Sequence, residues 1–164
     1  MISKTMNAAI NEQINAEMYS AYLYLAMSAH FEAENLTGIA RWLRVQAKEE
    51  MEHAMKFFDH VLERGGKVTL KKIDGPETAW PSPLAAFEAV AEHERKVTGL
   101  INGLVDKAAA ENDHASSIFL QWFVTEQVEE EANADAIVQR LTMIGDSKNG
   151  LFMMDHRLGE RSDD

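Results

Sequence analysis

Six side chains in this sequence, Glu17, Glu50, His53, Glu94, Gln127 and Glu130, are of the types that hold a pair of divalent metal ions. Carboxylate oxygens with one imidazole suit iron or manganese, and zinc competes for the same set. Glu50 and His53 form a Glu-x-x-His, a spacing that puts both on one face of a helix, and Gln127 and Glu130 repeat that spacing. Glu17 lies 33 residues before Glu50, and Glu94 lies 33 before Gln127, so the chain reads as two halves, each supplying one glutamate and then a pair. Two half-sites related by a pseudo-two-fold axis imply two metals side by side. Four carboxylates charge-balance two divalent ions, which one ion would not require.

The elements that must position these residues are legible from proline, glycine and the apolar period. Residues 5–34 contain neither proline nor glycine and predict one long helix. After a break at Asn35-Leu36-Thr37-Gly38, a second helix is expected over 39–64, closed by Gly65-Gly66. A turn-rich stretch follows, with Asp74-Gly75-Pro76 and Trp80-Pro81-Ser82-Pro83, where Ser82 and Pro83 suit an N-cap and first helical position. A third helix is expected over 84–110, a break at Asn112-Asp113-His114, a fourth over 115–144 stopped by Gly145, and a short fifth over 151–158. The first and third links are short, so those helix pairs should be antiparallel neighbours. The link from Gly65 to Pro83 can span roughly 60 Å, more than the roughly 40 Å of a helix here, and would run the length of the bundle to make the second and third helices parallel. The expectation is an all-α, single-domain four-helix bundle over 1–164, with one long crossover between helices 2 and 3 and a short C-terminal fifth helix.

On each predicted helix, apolar residues recur at three- and four-residue steps, as in Ile10, Ile14, Ala21, Tyr24 and Phe31, or Leu120, Phe123, Ala134, Ile137 and Leu141. The six polar residues interrupt these seams near each helix midpoint, so bundle packing puts them in one layer. A purely structural polar cluster is the competing reading. Four buried carboxylates, however, repel one another and lose hydration at several kcal/mol per ion. No lysine or arginine falls on the seams at that level, which leaves a metal as the economical counter-charge.

Composition narrows the function further. The formal net charge of −11 argues against a nucleic-acid partner, whose phosphates need a basic footprint. No uncharged apolar run is long enough to span a membrane, and the N-terminal residues lack a secretory apolar core, so a cytoplasmic protein is expected. With no cysteine there are no disulfides, thiolate metal sites or cysteine nucleophiles.

Three stretches carry a resemblance: residues 11–25, NEQINAEMYSAYLYL; residues 46–54, QAKEEMEHA; and residues 119–131, FLQWFVTEQVEEE. They resemble bacterial and archaeal non-haem ferritins, and the likeness extends over essentially the whole chain. The resemblance implies an iron-storage protein with a ferroxidase centre, two irons per subunit, and a hollow homo-oligomeric shell of 24 subunits. It places one iron on Glu17, Glu50 and His53, with Glu50 bridging to a second on Glu94 and Glu130, and Gln127 beside that second site. It implies a third iron site from Glu49, Glu126 and Glu129, each one residue before a seam ligand, and matches Tyr24 to a tyrosine beside the pair. Taken alone, those three glutamates also fit a solvated acidic face, and Tyr24 a core tyrosine. The substrates would be Fe(II) with dioxygen or hydrogen peroxide.

Met51 lies in a Glu-Met-x-His stretch like that with which bacterioferritins hold haem between subunits. Those proteins carry a second Glu-x-x-His, which is Gln127 to Glu130 here, so haem is not expected. Trp122 and Phe123 are expected in the core, with electron donation as a second role for Trp122. His30, His60, His93, His114 and His156 are expected at surfaces or interfaces, and most of the nine methionines in the core. A rubrerythrin-like peroxidase is excluded by the missing cysteines. A di-iron oxygenase usually has two Glu-x-x-His motifs. A bundle that sequesters zinc or iron without redox turnover remains an alternative.

Overall fold

Helix boundaries in the computed structural model, which describes residues 1–162, fall where side chains replace missing backbone partners. The described residues form five helices: α1 Lys4–Ala33, α2 Thr37–Glu63, α3 Pro83–Ala110, α4 His114–Ile144 and α5 Lys148–Leu158. Ser3, Ser82, Asp113 and Ser147 cap α1, α3, α4 and α5, each accepting a backbone N–H from the first turn. Asn35 and Asn112 take the left-handed conformation, at φ 60° and 53°, and end α1 and α3 in the same way. In each case the following amide reaches back to an open carbonyl, Leu36 to Phe31 and Asp113 to Ala108.

α2 begins inside the expected break, at Thr37, and the reason lies elsewhere in the chain. Leu36 offers no side-chain cap. Instead Asp155 of α5 accepts from the Ile39 amide at 2.8 Å. A Cβ at Gly38 would lie 1.8 Å from the Asp155 carbonyl oxygen, so only glycine lets α5 sit this close. α5 itself starts three residues before the expected 151, because Ser147 caps it.

α1 pairs with α2, and α3 with α4, as antiparallel hairpins. Across the bundle Ser3 contacts Glu111 and Ser20 contacts His93, so α1 and α3 are antiparallel. Gln46 meets Glu130 and His60 meets Ser116, so α2 and α4 are antiparallel too. α2 and α3 therefore run in the same direction, as a full-length crossover requires. The crossover is strapped to α1: Asn7 and Asn11 both donate to the Lys67 carbonyl, and their side-chain oxygens accept from the Lys67 and Thr69 amides. Further along, the Trp80 carbonyl lies 3.1 Å from His30. Among the described residues, no helix is long and apolar enough to cross a membrane.

The core is divided in two. One apolar cluster includes Tyr24, Met27, Phe31, Leu43, Phe87 and Ile137. The other includes Met6, Ile10, Ile14, Phe57, Ile101, Leu120 and Phe123. Between them lie Glu17, Glu50, His53, Glu94, Gln127 and Glu130, all buried. Sequestering that many polar groups between two close-packed clusters is costly unless each is partnered.

Candidate metal centre

α1 and α2 build the first half of the layer. Glu17, Glu50 and His53 present ligand atoms within 4.8 Å of one another, all three buried. Gln13, one turn before Glu17, donates to Glu17 Oε1 at 2.8 Å. Glu17 Oε2 is buried with no hydrogen-bond partner, which for a carboxylate oxygen is expensive. The two His53 nitrogens face opposite ways, Nδ1 lying 3.4 Å from Glu50 and Nε2 lying 4.0 Å from Glu126. His53, Glu126 and Glu130 accordingly form a second group of converging ligands.

α3 and α4 build the other half, and here the oxygens are already engaged. Tyr24 donates to Glu94 Oε1, and Gln127 Nε2 lies 3.3 Å from Glu94 Oε2. Gln46 Nε2 donates to both Glu50, at 3.2 Å, and Glu130, at 2.8 Å. Glu94 joins no group of three converging ligands among the described residues.

Burial governs the electrostatics. It pushes the Glu17 carboxyl well above the usual range, with Glu50 adding repulsion. Glu50 is likewise pushed well up by burial and then by Glu94 and Glu130. Glu94 is raised by burial against the pull of Tyr24 and Gln127, and Glu130 is raised to about 7 by burial and then Glu94. The Tyr24 phenol is also raised, by burial and Glu94. Each of these shifts favours the neutral carboxyl, so four ionised carboxylates are stable together in this layer only with a cation among them. The donor set of carboxylates and imidazole, with one buried oxygen left over, fits divalent metal.

Among the described residues, Glu49, Glu126 and Glu129 do not converge as one group of ligand atoms. Glu126 turns toward His53 and Glu130, whereas Glu49 is ion-paired with Arg161 from the C-terminal tail. Glu49 and Glu129 line a shared pocket on the outside. The seams indeed carry no basic residue at this level, but a seam-only reading misses a cation delivered from beyond the bundle.

Other expectations need correction. Trp122 is 41% exposed, its ring edge on His53 with Lys56 above it, and only Phe123 of that pair is core. His60 is buried, stacked flat on Phe119. His93 packs between Tyr19 and Tyr24, bonded to Ser20. Burial and Lys96 lower the His93 pKa to about 4, so it is neutral at physiological pH. Of the methionines only Met6, Met27 and Met154 are buried; Met51, Met55, Met143 and Met153 are exposed on this chain. Gln13 and Gln46, which hold the carboxylates, are not among the candidate residues that the sequence pattern points to.

Comparison with known proteins agrees with this geometry. The profile of the Ferritin-like domain family matches residues 7–144. The chain is 50% identical over 161 residues to a bacterial non-heme ferritin of Bacteroides fragilis, covering 98% of this chain and all of that one. A bacterial non-heme ferritin of Campylobacter jejuni is 41% identical over 94% of this chain and 93% of its own. Among solved structures, an open pore ferritin from the hyperthermophilic archaeon Archaeoglobus fulgidus superposes with a TM-score of 0.98 at 52% identity, covering 99% of this chain and 100% of that one. The chain belongs to the ferritin family.

Proposed function

We propose that this member of the ferritin family is an iron-storage subunit with ferroxidase activity, taking up Fe(II) in the polar layer and releasing Fe(III) for storage. The observation that carries this reading is the unpartnered, buried Glu17 Oε2 in a layer of four carboxylates. It is a site whose electrostatics are completed only by cations.

In this reading Glu17, Glu50 and His53 hold one Fe(II), and Glu50 extends to a second held by Glu94 and Glu130, with Gln127 alongside. Two Fe(II) surrender one electron each, and a two-electron acceptor takes them: dioxygen with two protons gives hydrogen peroxide, and hydrogen peroxide with two protons gives water. The protein's part is position and charge. Fe(III) gains more than Fe(II) from an anionic layer, so oxidation is favoured where the carboxylates converge. Tyr24 keeps Glu94 in place through its phenol, which stays protonated because ionisation beside Glu94 in a dry site is disfavoured. Glu126 with His53 and Glu130, and then Glu49 and Glu129, form an outer acidic side that binds iron more weakly, with more water around it. The exposed methionines and leucines fit burial between copies of the chain in a homo-oligomeric cage of 24 subunits within the cytoplasm.

The test is anaerobic Fe(II) loading followed by an oxygen pulse on a size-fractionated sample. Oxidation faster than in a protein-free control, by a species much larger than 18.4 kDa, supports the reading. Binding with no acceleration would leave a metal-sequestering bundle.

A further inference from the structure

Arg161 lies beyond α5, three residues past its last turn, yet its guanidinium returns to the edge of the metal layer. Nη1 donates to Gln46 Oε1 at 2.8 Å, Nη2 pairs with Glu49, and the ring of Trp42 supports the group from 4.4 Å. The tail is placed to do this. α5 is docked through the Gly38–Gly159 approach and the Asp155 cap, and Arg41 donates to the Arg161 carbonyl at 3.3 Å. Both ends of the ion pair are largely shielded, with side-chain exposures of 21% and 30%.

Two consequences follow from donor chemistry. A guanidinium has donors only, so Gln46 must turn its oxygen to Arg161 and its nitrogen inward, toward Glu50 and Glu130. A surface cation thereby sets the orientation of an amide that holds two carboxylates of the layer. Arg161 also neutralises Glu49, the outer carboxylate nearest to it. An open pocket of about 550 Å³ beside it, lined by Glu49, Glu129, Arg140, Arg157 and Arg161, gives a small cation access to the same carboxylate.

We propose that Arg161 is a displaceable resident cation of the outer acidic side: it holds Glu49 and fixes the Gln46 amide, and a metal ion arriving at Glu49 takes its place. Displacement frees the Gln46 amide to rotate, which loosens Glu50 and Glu130. Filling of the outer side is thus coupled to the hold on the inner pair. This makes Arg161 a positioning residue. The inference rests on the reading that Glu49 belongs to an outer metal site.

The probe is Co(II), titrated without oxygen into the assembled protein in a Trp80→Phe, Trp122→Phe background, so that Trp42, the one tryptophan left, reports the guanidinium stacked on it. Calorimetry counts equivalents while Trp42 emission is followed. Equivalents beyond the inner pair should change Trp42 emission. Arg161→Gln should abolish that change and tighten outer-side binding about two- to fivefold, the range expected on removing a partly exposed ion pair. Arg161→Lys, which keeps the charge without the fork, should restore the weaker outer binding but not the full Trp42 response. If Arg161→Gln leaves both outer affinity and the emission step unchanged while Glu49→Gln weakens outer binding, the proposal is wrong and the outer site stands. If Glu49→Gln also changes nothing, the outer site itself is wrong, and the proposal goes with it.

Discussion

In the α1–α2 hairpin Glu17 has one carboxylate oxygen buried without a partner; in the α3–α4 hairpin both oxygens of Glu94 are engaged, one by Tyr24 and one by Gln127. The hairpins otherwise correspond closely. Each contributes a glutamate from its first helix and a polar pair three apart from its second, and each first helix ends on a left-handed asparagine. The difference lies in what stands at the equivalent places: Glu50 and His53 in one half, Gln127 and Glu130 in the other. An amide replacing a carboxylate removes a charge and supplies a donor, so Gln127 engages one oxygen of Glu94 while Tyr24 reaches across from α1 to the other. The first half has only Gln13 and Gln46 to do so and remains under-satisfied. A repeated scaffold can thus carry one half-site that demands a cation and one that accepts it.

The comparison breaks most completely at Glu50, the residue between the halves. Glu50→Ala should slow rapid Fe(II) oxidation by about two orders of magnitude or more, as expected when a metal ligand rather than its support is lost. The apo protein should stay folded and be no less stable, since the lost charge is repulsive without metal. Stopped-flow oxidation and thermal melts check both parts; a wild-type rate would mean that the site is elsewhere.

A pH series tests the anionic layer as a whole. The carboxyls of Glu17, Glu50, Glu94 and Glu130 are raised in the folded state, so the fold binds more protons than the unfolded chain between about 4.5 and each folded value. Their contribution to apo stability is therefore full below about 4.5 and is lost as pH rises. For Glu130, with a folded value of about 7, the loss approaches about 3 kcal/mol by the time that value is passed. Glu130→Gln should flatten the fall. Metal should reverse it and release protons on binding, more at pH 6 than at pH 8. Apo melts that do not vary over this range would contradict the picture of an uncompensated layer.

Smaller effects sharpen the asymmetry. Glu17→Gln should weaken the first equivalent of Co(II) roughly tenfold, whereas Glu94→Gln should spare the first and weaken the second. Equal effects of the two variants on the first equivalent would erase the distinction between halves. Smallest of all, replacing Glu49, Glu126 and Glu129 together by Gln should leave the first oxidation burst within about twofold, because none of the three holds the pair. The same variant should lower the amount of Fe(II) bound before oxidation and change later turnover. If neither moves, these residues are a solvated face.

The bundle, its crossover and the six buried polar residues were legible because they follow from local patterning: helix periods, turn residues and interruptions of an apolar seam. What escaped depends on pairings between distant parts of the chain. Thr37 starts α2 because Asp155 supplies the missing cap, and no local signal announces a cap from more than a hundred residues away. Trp122 sits beside His53 yet faces outward, since its angular position lies off the seam and Phe123 takes the core place. Arg161 was invisible because reading the seams asks only what the four long helices carry. The exposed methionines misled because apolar character does not say whether a residue faces its own core or another copy of the chain.

The layer is assembled from two hairpins, and this bears on the order of events as the chain folds. Each hairpin has mainly local contacts and can form quickly alone, whereas bringing Glu94 and Glu130 to Glu50 requires the crossover to lie down along Asn7 and Asn11 first. The repulsion of Glu50 by Glu94 and Glu130 is then met only at the docking step. Metal that joins Glu50 to Glu94 and Glu130 should therefore act late, as a clamp between preformed halves, and chiefly slow their separation. Refolding with and without Co(II) should give similar early phases in circular dichroism, with the difference confined to the unfolding rate.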